Sequence, residues 1–163
     1  MKRVWTVALF ALTVSLTQAH APAAGAWCMD ATDGRKLASR YADLMGAFTT
    51  AKAEALLIED FSGTSDSTNV FLGKQLGSLT YTSREDFIEE QGQLATAIMN
   101  ITNVVVSTCD TVVLRWTQQF DIKPVTGISV LVATMQDDWM IEMLWSEFNS
   151  LVYLEDIGGN YTS

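Results

Sequence analysis

A change of period near residue 100 constrains the fold of this chain more than any other feature. Before it, Leu37, Tyr41, Leu44 and Phe48 recur at i, i+4, i+7 and i+11, one stripe of a helix. With Thr32-Asp33 offering a cap, the spacing predicts a helix over 34–49. KAEALLI at 52–58 predicts a short second helix, closed by Glu59-Asp60-Phe61 and a polar loop, SGTSDSTN. FLGKQLGSLTY at 71–81 carries two glycines four residues apart and reads as a short hairpin or irregular strand. Ser83 with Asp86 has the form of a capping box, and Phe87, Gln91, Leu94 and Ile98 give a third helix its face. After residue 100 the runs 103–108, 111–120, 127–136 and 139–149 are β-branched or aromatic, and the connections between them are short. Short connections predict an antiparallel meander. Helices first and long strands afterwards is the α+β pattern: three N-terminal helices packed on one face of an antiparallel sheet of four long strands, plus the short hairpin.

The N-terminus reads as a secretory leader. Met1-Lys2-Arg3 is a basic start, Val4 to Leu16 is apolar and uncharged, and small residues follow at Ala19, Ala21, Ala23, Ala24 and Ala26. The apolar run is about 13 residues, too short to span ~30 Å of hydrocarbon, so a membrane span is not expected. We divide the chain into a leader over 1–23 with cleavage between 19 and 26, one domain over 27–157, and a flexible tail over 158–163. Cleavage from Ala21 onward removes His20, the only histidine. Chemistry in the mature chain must then use carboxylates, tyrosine or hydroxyl groups.

Loss of Lys2 and Arg3 with the leader leaves 8 basic against 19 acidic residues. Such a balance, with no cluster of Lys and Arg, argues against nucleic acid as a partner. Cys28 and Cys109 are the only cysteines. In an exported protein a bridge between them is the default reading, and a reactive thiol or a metal site is the alternative. Asn100-Ile101-Thr102 and Asn160-Tyr161-Thr162 are glycosylation sequons.

Both faces of the last strand are apolar: Trp139, Ile141, Met143 and Trp145 alternate with Met140, Leu144 and Phe148. Helices on one side leave the other face to be covered, and a second copy of the chain, forming a homodimer through the sheet, is one cover.

The stretches SRYADLMGAFTTAKAEALLIEDF (39–61) and IEMLWSEFNS (141–150) resemble the opening helix pair and the closing strand of the cone-shaped nuclear transport factor 2-like superfamily. That group includes ketosteroid isomerase, scytalone dehydratase and the SnoaL-like polyketide cyclases. With its leader and the phrase DFSGTSDSTN, the chain looks most like small secreted members from filamentous fungi. The resemblance implies a cone-shaped roll with an apolar cavity. It places Tyr41 where the isomerase has an oxyanion-hole tyrosine, and Asp66, or slightly earlier Asp60, where it has its general base. The isomerase's second acid should fall within Leu131 to Thr134, where this chain has none. The histidines of scytalone dehydratase are missing too, whereas a SnoaL-type cyclase needs chiefly one carboxylate in an apolar cavity.

The candidate residues carry two readings each. Asp66 is a base in the cavity mouth or a turn cap among Ser65, Ser67 and Thr68. Asp60 is a base or the end of the short helix. Tyr41 is a cavity donor or a satisfied core tyrosine. Glu147, sharing a face with Asn149 and Trp145, is a desolvated carboxylate or an edge salt bridge to Arg115. Trp116, Trp145, Met143, Phe120 and Asn149 would contact a flat hydrophobic ligand, or are core. The expected function is a secreted, cofactor-free cyclase, isomerase or dehydratase acting on a small hydrophobic polyketide or terpenoid by carboxylate acid/base chemistry. The alternative is a non-catalytic module that binds a small ligand or another protein. A carboxylate inside the cavity favours the first, and a cavity without one favours the second.

Overall fold

The computed structural model describes residues 27–94, 97–120 and 122–160. The expected leader, with His20, lies outside the described residues. Asp30 opens helix α1 (Ala31–Gly46) by accepting from Thr32 N and Asp33 N, so the cap sits two residues before the expected Thr32. Thr49 caps α2 (Thr50–Leu56), which runs directly into strand β1 (Leu57–Thr64). Helix α3 (Asp66–Leu72) follows, then a turn segment, α4 (Arg84–Gln91), strands β2 (Met99–Ser107), β3 (Thr111–Gln119), β4 (Pro124–Met135) and β5 (Trp139–Phe148), and helix α5 (Ser150–Asp156).

The four long strands form the expected antiparallel meander, and β4 begins at Pro124, where a missing N–H costs the ladder least. The sheet has a fifth strand that the sequence did not announce. Its order is β1-β5-β4-β3-β2, with β1 parallel to β5. The expected hairpin over 71–81 is not a hairpin. Phe71 and Leu72 end α3, while Gly73 (φ 66°) and Gly77 (φ 78°) take left-handed turn positions, the conformation for which glycine is suited. The segment returns to the sheet only at Tyr81, whose carbonyl accepts from Gly63 N at 2.9 Å.

The helices cover one face of the sheet, which fixes the core. Leu37, Tyr41 and Leu44 of the α1 stripe are buried in one cluster with Val112, Leu114 and Leu131 of the sheet. Truncating such a leucine costs about 2–5 kcal/mol. Phe61, Tyr81 and Phe87 meet edge to face or tilted beneath α4. Cys28 and Cys109 are bonded, tying the entry of α1 to the β2–β3 turn, and Met29 N donates to Cys109 O at 2.9 Å beside the bridge. No helix among the described residues is long and apolar enough to cross a membrane.

A bulge in β5 decides which side chains face the helices. Ile141 pairs with Ala133 and Met143 with Val132, so Glu142 is an extra residue and the inward parity flips there. Trp139 and Ile141 point in before the bulge, and Leu144, Ser146 and Phe148 after it; Met143, Trp145 and Glu147 lie on the outer face.

Candidate ligand cavity

Residues of β1, β2, β3 and β5, closed over by α1, α3, α4 and α5, leave a cavity between sheet and helices. Its walls are Tyr41 and Met45 from α1, Phe71 from α3, Phe87 and Gln91 from α4, and Tyr153 from α5. The sheet contributes Trp116, Gln118, Leu144, Ser146 and Phe148. The cavity has a volume of about 60 Å³, several times the roughly 10–15 Å³ that one water needs. No Asp, Glu, Lys, Arg or His is among its described lining residues.

Trp116 reaches the cavity because Gly127, its cross-strand partner, has no side chain. A Cβ on Gly127 would meet the indole, with Cε2 at 2.6 Å and Cη2 at 2.7 Å, so the ring lies over bare backbone. The indole Nε1 donates to Ser129 Oγ at 2.9 Å. Tyr41 OH lies 3.2 Å from the same oxygen and Ser146 Oγ 2.8 Å from it. Burial pushes the Tyr41 phenol above its ordinary pKa, an effect that hydrogen bonding to Ser129 and Ser146 only partly offsets, so the hydroxyl keeps its proton near neutral pH. Gln118 Nε2 donates to Ala97 O at 3.1 Å, whereas Gln91 Oε1 is buried and has no hydrogen-bond partner among the described residues.

The carboxylates singled out in the sequence do not enter this cavity. Asp66 begins α3, and its Oδ1 accepts from Gly77 N at 2.6 Å, holding the glycine turn against the helix. Glu147 bridges from the outer end of β5 to the same helix. Its Oε1 accepts from Asp66 N at 2.7 Å, and its Oε2 accepts from Ser67 N at 3.0 Å and from Ser67 Oγ. These bonds satisfy donors that a helix start leaves free. Arg115 shares an open groove with Glu147 and Asn149, yet no Arg115–Glu147 ion pair forms among the described residues. Asp60 is exposed on the bulged part of edge strand β1. Its place is a strand, not a helix end.

Of the expected ligand contacts, Trp116 lines the cavity. Trp145 and Met143 are turned away by the bulge, and Trp145 is 43 % exposed. Phe120 packs edge to face on Tyr153, and Asn149 caps α5 by accepting from Val152 N at 3.2 Å. Ser129, Ser146 and Gln91 are the polar positions the sequence reading did not assign. Ser129 was accessible to it, since Val125, Ser129 and Leu131 share one parity of β4 and a serine there must face the core. Ser146 was not, because its parity depends on the bulge. Among the described residues no group of three or more His, Cys, Asp or Glu is placed to hold a metal.

A family model for the NTF2-like domain matches residues 27–160, nearly the whole described chain. The chain belongs to the NTF2-like family. Among solved structures it is similar to a protein from Kribbella flavida provisionally assigned as a ketosteroid isomerase, with TM-score 0.58, 14% identity, and 72% of this chain and 78% of that one covered. A provisionally assigned SnoaL-like polyketide cyclase from Jannaschia aligns with TM-score 0.57 at 12% identity, covering 80% and 94%. A protein of ketosteroid isomerase-like fold from Catenulispora acidiphila, solved with trimethylamine, gives TM-score 0.55 at 12% identity, covering 78% and 98%. At such identities the likeness is one of fold. By sequence, no curated protein matches the chain.

Proposed function

We propose that this NTF2-like protein is a secreted, non-catalytic binder of a small, uncharged, largely apolar molecule held between the helices and the sheet. The observation that carries the reading is the cavity lining: aromatic and aliphatic, with amide and hydroxyl groups but no charged side chain. An ion buried there would lose its hydration without gaining a partner. Asp66 and Glu147, the carboxylates available for proton transfer, are engaged in holding α3. The trimethylamine complex of the Catenulispora protein is consistent with small-molecule binding on this fold. Titration with ethylbenzene, followed by calorimetry and by tryptophan fluorescence, is the test. Saturable one-to-one binding is expected in the native protein, with loss of binding in Ser146→Phe, which fills the cavity. Absence of saturable binding in the native protein refutes the reading.

A second reading, a cofactor-free cyclase, isomerase or dehydratase, is favoured by one observation, the protonated Tyr41 hydroxyl at the cavity wall. It requires a proton acceptor, and Asp66 is the candidate that the family resemblance implies. Turnover that falls roughly 100-fold in Asp66→Asn while binding persists would establish it.

The outer face of the sheet supports self-association. Val106, Val113, Val130 and Trp145 form one row across four strands, flanked by Ile128 and Met143. Light scattering at micromolar concentration should return twice the mass of the mature chain, and a monomer argues against a second copy on this face.

A further inference from the structure

We infer that Asn100 carries an N-linked glycan in the secreted protein, and that this glycan shields strand β2, the unguarded edge of the sheet, from pairing with other chains. The inference rests on the secretion part of the reading above and is independent of what the cavity binds. Its first support is the contrast between the two edges. The sheet order is β1-β5-β4-β3-β2, so β1 and β2 are the outer strands, and β2 pairs with β3 alone. Strand β1 is guarded: Glu59 and Asp60 are exposed on its bulged part, and Tyr81 bonds to Gly63 along its other half. Strand β2 reads MNITNVVVS, nine residues without a charge, a proline or a glycine, and its Val105 and Val106 are exposed. An edge strand presents unpaired N–H and C=O groups, and an uncharged, β-branched edge is a template for strand addition unless something blocks it. The bulges at Thr102 and Val105 twist β2 but bring no charge to it. A glycan, bulky and solubilising, supplies the missing guard.

The second support is that the sequon lies in this strand and faces solvent. Asn100 and Thr102 are both exposed. Asn100 pairs with Thr117, next to the inward pair of Ile101 and Trp116, so its amide projects from the outer face beside Thr117 and Thr126. Neither the Asn100 nor the Thr102 side chain makes a hydrogen bond among the described residues, so a sugar on Asn100 Nδ2 displaces no native contact. Thr117 and Val113 are four residues apart in β3, about 13 Å at roughly 3.3 Å per residue, which sets the attachment point apart from the apolar row of Val106, Val113, Val130 and Trp145. The attachment is a group transfer on the chain entering the secretory pathway, before it folds. Asn100 Nδ2 attacks C1 of an oligosaccharide carried by a polyprenyl pyrophosphate. The N–C1 bond forms, the C1–O bond breaks with its electron pair leaving on the pyrophosphate oxygen, and the amide nitrogen gives one proton to solvent. The Thr102 hydroxyl completes the acceptor motif. Because transfer precedes folding, the fold has only to accommodate the product, and an outward Asn on an edge strand does so.

The test is secretion of the full chain, with its own leader, from a eukaryotic host cell. Peptides from the medium, treated with peptide N-glycosidase in heavy-oxygen water, should carry the label at position 100, read separately from Asn160. In Asn100→Gln that label is lost, and the aggregated fraction at micromolar concentration, measured by light scattering and thioflavin binding, should rise several-fold. Val105→Lys added to that variant puts a charge on the edge and should return the fraction to the native level, whereas Thr126→Lys, a charge on the outer face of the central strand β4, should not. Should circular dichroism show Asn100→Gln to be misfolded, or should it fail to be secreted, trimming the folded native glycoprotein to a single sugar with an endoglycosidase replaces it, with the same rise expected. An unmodified Asn100 in the secreted chain, an aggregated fraction unchanged on loss of the glycan, or equal rescue by Thr126→Lys overturns the inference. If no chain reaches the medium, the secretion reading falls and this inference with it, while the binding reading is still judged by ethylbenzene titration.

Discussion

Reducing the Cys28–Cys109 bond should lower the melting temperature of this domain by several degrees without dissolving its sheet. The bond joins residues 81 apart in sequence. In the chain-entropy model, closing a loop of that length removes about 15 cal/mol/K from the unfolded ensemble, or about 4.5 kcal/mol at 25 °C. The family match spans residues 27–160, and at about 2.1 cal/mol/K per residue the unfolding entropy is roughly 0.28 kcal/mol/K. The full entropic gain would then shift the midpoint by about 16 °C. Measured bridges often give about half of the model value, so a fall of roughly 8–16 °C is expected. The fold should survive, because α1 stays anchored by Leu37, Tyr41 and Leu44 and by the Met29 N to Cys109 O hydrogen bond. The assay is calorimetry of the native protein and of Cys28→Ala/Cys109→Ala, with mass spectrometry of unreduced peptides to confirm the bond. A double variant melting within about 2 °C of the native protein would show that the unfolded chain is not constrained in the way the model assumes.

Gly127→Ala should destabilise by about 1–3 kcal/mol, shift the tryptophan emission and weaken ring binding, because the new methyl displaces the Trp116 indole; a neutral effect in denaturant melts would refute the close approach. Glu147→Ala should cost about 1–2 kcal/mol through loss of the α3 cap while leaving ethylbenzene affinity within twofold, and a large loss of binding at unchanged stability would put Glu147 in the cavity after all. Burial raises the pKa of Tyr41, of Tyr81 and of Tyr153, so the folded protein holds phenolic protons that the unfolded chain releases near pH 10. Stability should therefore be constant in this respect below about pH 10 and fall as pH rises further, with these tyrosines ionising together on unfolding. The chain has four tyrosines, so phenolate absorbance near pH 10 amounting to more than one of them in a still-folded protein would contradict that burial.

The meander and the helical stripes were legible because burial imposes one parity on each strand and one face on each helix, and both survive in the residues themselves. Helix α3 was not legible. Its residues, DSTNVFL, carry no apolar stripe, and the element is held by Glu147 from the far end of the chain and by Asp66 on the Gly77 turn. Strand β1 was hidden for a related reason, since LIEDFSGT acquires its extended form by pairing in parallel with β5, a neighbour in the sheet that lies about 80 residues later in the chain. The site divided along the same line. Tyr41 and Trp116 sit on regular stretches, where the sequence left cavity wall and plain core both open, whereas the bulge at Glu142 reversed the faces of Met143 and Trp145 and brought Ser146 inward. For Asp66 the sequence offered a base or a turn cap, and for Glu147 a desolvated carboxylate or a salt bridge; in space both carboxylates bond to backbone amides.

A crystal structure of the protein soaked with ethylbenzene tests the central claim, small-molecule binding between helices and sheet, most directly. The expected result is density for the ligand among the cavity-lining side chains Trp116, Phe148 and Tyr153. Density only on the outer face beside Trp145, or a cavity left without ligand at saturating concentration, would contradict it.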